Sequence, residues 1–273
     1  MSWFQSRLLM RLCICPLQFI AVSIKYVHDY HGTAAYHRVL PMPSPPTASF
    51  AESASPSPLS ESIARKARFW DRVARKYAAD PIADLAGYEA TLARVQALLS
   101  TDQNVLEIGC GTGSTALRLA PCTRRLLATD VSAEMIGIAR EKLAAQPLPQ
   151  LSFAVADAEA GVAGAGEFDA VLAFNLLHLV SDLDQTLASV MQTLRPGGRL
   201  ISKTACLSEM NPLIPWLALP LMRAIGKAPR VLCFNGKELE AAIARHGFFI
   251  ESVERHGSKG KDIRVVIVAR KPG

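Results

Sequence analysis

The sequence predicts an α/β protein with a doubly wound, mostly parallel sheet and helices on both of its faces. Three observations lead to this prediction. Short apolar runs of strand character alternate with helical runs from residue 105 onward. A glycine-rich turn over 109–113 joins the first of these strands to its helix. The chain ends in two strands joined by a short loop, so the last strand should run antiparallel to its neighbour.

The composition suits one large α/β domain and disfavours several other classes of protein. The 273 residues are 50% hydrophobic and 20% charged, with a formal net charge of +6. Lys and Arg are scattered and are not interleaved with aromatic residues, which disfavours nucleic-acid binding. The cysteines are widely spaced except for Cys13 and Cys15, whose spacing does not suit zinc. We therefore predict free thiols in a reducing, cytoplasmic compartment and no metal site.

The first 60 residues differ in character from the rest of the chain. Two arginines precede an apolar run over 12–24, which resembles a weak targeting segment but is too short to span a bilayer comfortably. Residues 41–58 are rich in Pro, Ser and Ala, as in disordered linkers. We predict that 1–60 is a disordered or spurious extension, and that the functional domain covers 61–273 without a stable membrane span.

The elements are expected in the following order. Amphipathic spacing predicts two helices ahead of the glycine-rich turn, at 61–76 and 88–99. Strands are predicted at 105–109, 125–130, 151–157, 168–175, 199–203, 248–255 and 263–270. Between them, helices are predicted at 114–120, 133–144, 182–194 and 237–246, and a turn at 195–198.

Residues 206–234 interrupt this alternation with four prolines around an apolar run that contains Trp216. Helices here must be short, because proline breaks a helix interior. The segment follows the carboxyl end of a strand, where ligands bind in sheets of this kind. It is either an insertion that covers the core or a lid that supplies an apolar wall. Trp216, and Tyr77 ahead of the first strand, are candidates to contact a substrate.

Two carboxylates stand at the ends of neighbouring predicted strands. Asp130 closes the second strand and could hold both hydroxyls of a ribose, or it could cap the helix that follows. Ser132 is placed to provide that cap instead. Asp157 closes the third strand and could accept a hydrogen bond from an adenine amino group. With Glu107 they make an acidic, glycine-rich crevice, which suits a ligand of net positive character better than a pyrophosphate.

The run over 105–113, Val-Leu-Glu-Ile-Gly-Cys-Gly-Thr-Gly, resembles motif I of the class I S-adenosylmethionine-dependent methyltransferases. Later blocks resemble the family's subsequent motifs in order and spacing, at 127–135, 156–158, 168–178 and 194–198. The core motifs cover 105–205, and the likeness is to the broad small-molecule, type 11 and ubiquinone-biosynthesis-like group. The resemblance implies a Rossmann-like sheet of seven strands in the order 3-2-1-4-5-7-6, with strand seven antiparallel.

The resemblance also implies S-adenosylmethionine as the cofactor. Around the glycine-rich turn, the residues implied to bind it are Glu107, Gly109, Cys110, Gly111 and Gly113. Asn175 would help to hold the methionine amino group. The residues implied to hold the ribose and adenine are Asp130, Val131, Met135, Asp157 and Ala158.

The implied reaction is methyl transfer to a small, apolar acceptor, with no nucleic acid involved. His178, just past the fourth strand, is the candidate general base, although it could equally be a loop or helix-start histidine without a chemical role. The spacing G-x-G-x-G favours this cofactor over a dinucleotide, whose fingerprint is G-x-G-x-x-G. The alternatives are an NAD-dependent oxidoreductase and a non-catalytic cofactor-binding interaction protein. The sequence predicts no particular oligomeric state.

Overall fold

Seven strands form one sheet in the computed structural model, which describes residues 58–161, 166–210, 219–224, 228–258 and 262–273. The predicted extension up to residue 57 and the candidate Trp216 lie outside the described residues. So do 211–218 and 225–227 within the predicted lid.

The sheet has the order β3-β2-β1-β4-β5-β7-β6. Its strands are β1 (Asn104–Ile108), β2 (Arg125–Asp130), β3 (Leu151–Val155), β4 (Phe168–Phe174), β5 (Leu194–Ala205), β6 (Phe249–Glu254) and β7 (Arg264–Arg270). β1 to β5 pair in parallel, whereas β7 is antiparallel to both of its neighbours. The predicted doubly wound sheet, its strand order and its antiparallel last strand are therefore confirmed.

The described helices lie close to their predicted positions. They are α1 (Pro58–Ala79), α2 (Leu85–Gln96), α3 (Ser114–Leu119), α4 (Ala133–Ala145), α5 (Leu183–Thr193), α6 (Leu219–Ala224) and α7 (Gly236–Arg245). α6 is short, as the prolines of this segment require. None of the described helices is both long enough and apolar enough to cross a membrane.

Side-chain caps fix where several helices begin. The Ser132 hydroxyl accepts the Met135 N–H at 3.1 Å and starts α4. Asp182 caps α5 in the same way, and Asn235 forms a reciprocal capping box at the start of α7. Because Ser132 provides the cap of α4, Asp130 is available for another role.

The turn predicted at 195–198 is wrong. These residues belong to the twelve-residue β5, in which Leu194 pairs with Phe168 and Arg199 pairs with Ala170. The four intervening residues form an irregularity within the strand. Hydrogen bonds to the chain after β7 hold them in place, and in one of these the Lys271 N–H donates to Gly198 O at 2.8 Å. The Pro-Gly-Gly sequence bends the strand here without reversing the chain.

The core lies on both faces of the sheet. In β4, Val171 and Ala173 pack with α5 and α7, whereas Ala170 and Leu172 pack with α2, α3 and α4. Side chains alternate between the two faces of a strand, so a strand that is covered on both sides must be apolar at nearly every position. This explains the continuous apolar run over 170–174 in the sequence.

α1 lies against α4 beside the carboxyl ends of the first strands. Ala74 packs on Met135 and Ile138, and the Arg75 guanidinium pairs with Glu141 at 3.0 Å. These contacts place the length of α1 next to the edge of the sheet where polar residues were predicted to converge.

The two glycines at 113 and 137 provide a test of this packing. Gly113 has φ 73°, and an added Cβ would lie 2.7 Å from Phe153 and 2.8 Å from Ala139, so we expect Gly113→Ala to lower the free energy of unfolding by roughly 2–4 kcal/mol. Gly137 lies within α4 with open space around it, so Gly137→Ala should raise the free energy of unfolding by ~0.5–1 kcal/mol. Urea unfolding of both variants measures the two effects, and equal stability of the variants would contradict this account.

Candidate active site

The carboxyl ends of β1 to β4 meet at a cleft beneath α1. Its described lining brings together eight of the predicted site residues, namely Tyr77, Gly109, Gly111, Asp130, Val131, Met135, Asp157 and Ala158. The rest of the lining consists of Lys66, Trp70, Ala156, Leu176, Leu179 and Val180. The chain therefore assembles most of the predicted cofactor residues in one place.

The glycine-rich turn adopts a conformation that side chains disfavour. Gly109 has φ 67°, and an added Cβ would lie 2.6 Å from Leu176 Cδ1. The Cys110 N–H donates to Thr129 O at 2.9 Å, and its carbonyl accepts the Gly113 N–H at 3.1 Å. Cys110 and Gly113 therefore hold the shape of the turn, while Gly109 and Gly111 face the cleft.

Asp130 connects the turn to the end of β2. Its Oδ2 accepts the Gly111 N–H and its Oδ1 accepts the Ser132 N–H, both at 2.9 Å. Loss of hydration raises the pKa of Asp130, and the two backbone donors act in the opposite direction. Each carboxylate oxygen keeps a lone pair, so the side chain can still accept hydrogen bonds from ligand hydroxyls.

Glu107 is a buried acid at the centre of the sheet. Glu107 is 2% exposed, and its Oε2 has no hydrogen-bond partner among the described residues. Burial, with the nearby charge of Asp130, raises the pKa of Glu107 to about 8. The carboxyl is thus mostly protonated at neutral pH, and a positively charged group beside it would favour its ionised form.

Asp157 is held by a residue that the sequence analysis missed. Its Oδ1 accepts the Glu159 N–H at 2.8 Å, and its Oδ2 lies 3.0 Å from Lys66 Nζ. The same ammonium lies 2.5 Å from Glu159 Oε1. The only sequence signal for Lys66 was its position four residues before Trp70, which places both on one face of a helix.

α1 closes the cleft from above. The Trp70 and Tyr77 rings meet edge to face with centroids 6.2 Å apart, and Tyr77 lies over Gly111. Burial, with the charge of Asp130, raises the pKa of Tyr77. The remaining cavity of about 80 Å³ is well below the ~300 Å³ of a typical small-ligand site. The chemical groups fit an adenosyl ligand, and the side chains of α1 must move to admit one.

Five of the predicted site residues within the described ranges do not line this cleft, namely Glu107, Cys110, Gly113, Asn175 and His178. Asn175 takes φ 53° at the end of β4 and lines a separate small cavity with Tyr88 and Lys203. His178 is 4% exposed, its Nδ1 has no partner among the described residues, and burial lowers its pKa to about 4. This geometry does not favour His178 as a general base, because the ring is weakly basic and lines neither of these cavities.

A larger cavity adjoins the cleft. It has a volume of about 640 Å³ and shares Lys66, Trp70 and Leu179 with the cleft. Its other walls come from α1, α6 and the described residues 228–230.

Within the described ranges, no cluster of three or more potential metal ligands is present, and Cys110, Cys122, Cys206 and Cys233 are free thiols.

Comparisons with known proteins indicate a methyltransferase domain in this part of the chain. Residues 105–198 match the family model described as a methyltransferase domain. The ubiquinone/menaquinone biosynthesis C-methyltransferase of Francisella tularensis is 28% identical over 157 residues, which are 56% of this chain and 60% of the relative. A highly reducing polyketide synthase of Penicillium soppii is 33% identical over 126 residues, 41% of this chain and 5% of the relative. The chain thus spans less than two thirds of the length of either relative.

Solved structures share the fold. The phosphoethanolamine N-methyltransferase 2 of Haemonchus contortus, in complex with phosphomonomethylethanolamine and S-adenosylhomocysteine, has a TM-score of 0.61 at 17% identity, covering 76% of this chain and 61% of that one. An S-adenosylmethionine-dependent methyltransferase of Mesorhizobium loti has a TM-score of 0.55 at 21% identity, covering 68% and 98%. With its strand order, its glycine-rich turn and the family match over 105–198, this chain contains a methyltransferase domain with the fold of the S-adenosylmethionine-dependent methyltransferases.

Proposed function

We propose that this protein transfers a methyl group from S-adenosylmethionine to a small molecule with an apolar body. The observation that carries the proposal is the convergence of Gly111, Asp130 and Asp157 on one cleft, near the buried Glu107, whose Oε2 has no hydrogen-bond partner among the described residues. Asp130 would accept the ribose hydroxyls with its free lone pairs, and Asp157 would accept from the adenine amino group after Lys66 yields Oδ2. Glu107 would face the positively charged methionine end.

The cofactor supplies a methyl group that its sulfonium already activates. A lone pair of the acceptor forms the new bond to the methyl carbon while the carbon–sulfur bond breaks, its electron pair stays on sulfur, and S-adenosylhomocysteine leaves. A proton lost by the acceptor passes to solvent. The chain contributes mainly by holding the two reactants in line, which is a large part of the rate in such a displacement.

The acceptor would occupy the larger cavity. Trp70 and Leu179 line both this cavity and the cleft, so the transferred methyl group would lie near them. Phe69 and Ala224 extend the apolar wall away from that junction. These side chains favour an acceptor with an apolar portion, as the sequence predicted.

An NAD-dependent oxidoreductase is a weaker reading of the same residues. A dinucleotide needs free N–H groups for its pyrophosphate, whereas the Gly111 N–H already donates to Asp130. The acidic groups of the cleft also disfavour a ligand with two negative charges. The alternative of a non-catalytic interaction protein does not explain why the larger cavity adjoins the cofactor cleft.

We expect Asp130→Asn to weaken S-adenosylhomocysteine binding by 10-fold to 100-fold, about 1–3 kcal/mol, because a buried charged acceptor is lost. Isothermal titration calorimetry measures the dissociation constant. Asp184→Asn is the matched control, since this exposed carboxylate on α5 pairs with His246 away from the cleft. Equal affinity of the Asp130→Asn variant and the wild type would remove Asp130 from the ribose role.

Glu107 should make stability depend on pH. Its pKa in the folded protein is about 8, above the ordinary value of 4.5, so its favourable contribution is lost as pH rises from about 5 through 8. Glu107→Gln should therefore match the wild type near pH 5 and exceed its free energy of unfolding by ~1–3 kcal/mol at pH 9. Urea unfolding at the two pH values measures this difference.

The same carboxyl should release a proton when the cofactor binds. Calorimetric titration of the wild type with S-adenosylhomocysteine at pH 7, in buffers of different ionisation enthalpy, should show net proton release, because the ligand ammonium favours the Glu107 carboxylate. Glu107→Gln should abolish the release. Equal proton release by both proteins would contradict the placement of the methionine end beside Glu107.

A further inference from the structure

We propose that the methyl acceptor carries an anionic group, a carboxylate or a phosphate, that binds to arginines of the larger cavity. The proposal rests on the proposed methyl transfer and names the chemical class of the acceptor. It adds a charged end to a molecule that the sequence predicted only as apolar.

α1 presents two different faces to the two cavities. Arg65, Arg68 and Arg72 follow each other at spacings of three and four residues, which places them on one helical face, and all three line the larger cavity. Lys66 and Trp70 lie on the adjoining face and also line the cofactor cleft. One helix thus covers the cofactor site and supplies a row of guanidinium groups beside it.

The opposite wall adds two further cations. Arg223 of α6 and Arg230 line the same cavity, and both side chains are exposed to it and to solvent. Five arginines from two separate parts of the chain therefore surround one space. Phe69 and Ala224 line the same cavity and supply apolar surface.

These arginines have no counter-charge within the part of the chain that the structure describes. The described lining includes no Asp or Glu, and none of the five arginines forms an ion pair with a described carboxylate. Elsewhere Arg75, Arg118 and Arg199 are paired with Glu141, Glu89 and Glu251. The lining cation Lys66 is already neutralised by Asp157 and Glu159. The cavity therefore carries an uncompensated positive potential.

The size and shape of the cavity suit a small amphiphile. Its 640 Å³ falls within the range of small-molecule sites. Guanidinium groups bind carboxylates and phosphates through paired hydrogen bonds, so several arginines together select an anion. Because Trp70 and Leu179 stand at the junction with the cleft, the apolar end would carry the reacting atom and the anionic end would lie among the arginines.

The test compares three probes that share one chain and differ in head group: decanoate, decyl phosphate and decanol. Binding to the full-length protein is measured by calorimetry with and without saturating S-adenosylhomocysteine. The variant Arg68→Gln/Arg72→Gln removes two charges of the row. Arg75→Gln is the matched control, because Arg75 is on the same helix but faces Glu141 and does not line the cavity. Thermal unfolding verifies that each variant is folded.

We expect at least one of the two anions to bind roughly tenfold more tightly than decanol, and the double variant to lose about tenfold of that affinity. Arg75→Gln should bind like the wild type, and S-adenosylhomocysteine affinity should be the same in all three proteins. A carboxylate or a phosphate preference then identifies the head group.

Three results would overturn the inference: no binding of either anion, equal affinity for decanol, or unchanged anion affinity in the double variant. Vesicles of phosphatidylglycerol and of phosphatidylcholine form a separate arm. Binding to the anionic vesicles alone, without binding of the soluble anions, would replace a small acceptor by a membrane surface. Failure of the wild type to bind S-adenosylhomocysteine would instead overturn the proposed methyl transfer, and the anion titrations without this ligand would still decide the present inference.

Discussion

The carboxylate of Asp130 joins the parts on which the candidate site depends. It accepts one backbone N–H from the glycine-rich turn after β1 and another from Ser132 at the start of α4. Ser132 in turn caps α4 and donates to Asp71 of α1 at 2.6 Å. The ends of β1 and β2, the start of α4 and the covering helix α1 are therefore linked through Asp130 and Ser132. Replacing the Asp130 carboxylate would therefore affect the glycine-rich turn and, through Ser132, the position of α1. It would also affect any contact with a ribose.

α1 determines what each cavity can hold. The face that carries Trp70 and Tyr77 reduces the cofactor cleft to about 80 Å³, while the next face lines a space about eight times larger. The Lys66 ammonium pairs with the mostly buried carboxylates of Asp157 and Glu159. A ligand that contacts Asp157 must therefore replace the ion pair between Asp157 and Lys66. If the larger cavity holds the acceptor, as we propose, cofactor binding and the shape of that cavity would be coupled through one helix.

Local periodicity and motifs contiguous in the chain predicted the strands and the strand-end positions of Gly109, Asp130 and Asp157, whereas the order of the strands was implied by the resemblance to the methyltransferase family. The sequence did not predict the role of Lys66, which depends on how a helix at the start of the domain packs against strand ends some ninety residues later. The orientation of His178 was equally inaccessible, since a histidine one turn past a strand can face a cleft or the core. The strand irregularity at 195–198 was missed because Pro-Gly-Gly is usually a signal for chain reversal.

The charges of the two cavities have opposite signs, and this contrast bears on selectivity. Asp130 and Asp157 line the cleft, where a positively charged ligand is favoured, while the larger cavity is lined by arginines without described ion-pair partners. An anionic acceptor would be repelled from the cofactor position, and a cationic cofactor would be repelled from the acceptor position. At the boundary between them, Trp70 and Leu179 supply apolar surface beside Lys66, whose ammonium is paired with Asp157 and Glu159, so the reacting atoms would meet next to apolar side chains. In the reaction we propose, the helix that closes the cleft would thereby keep two oppositely charged ligands in separate cavities while it holds their reactive ends together.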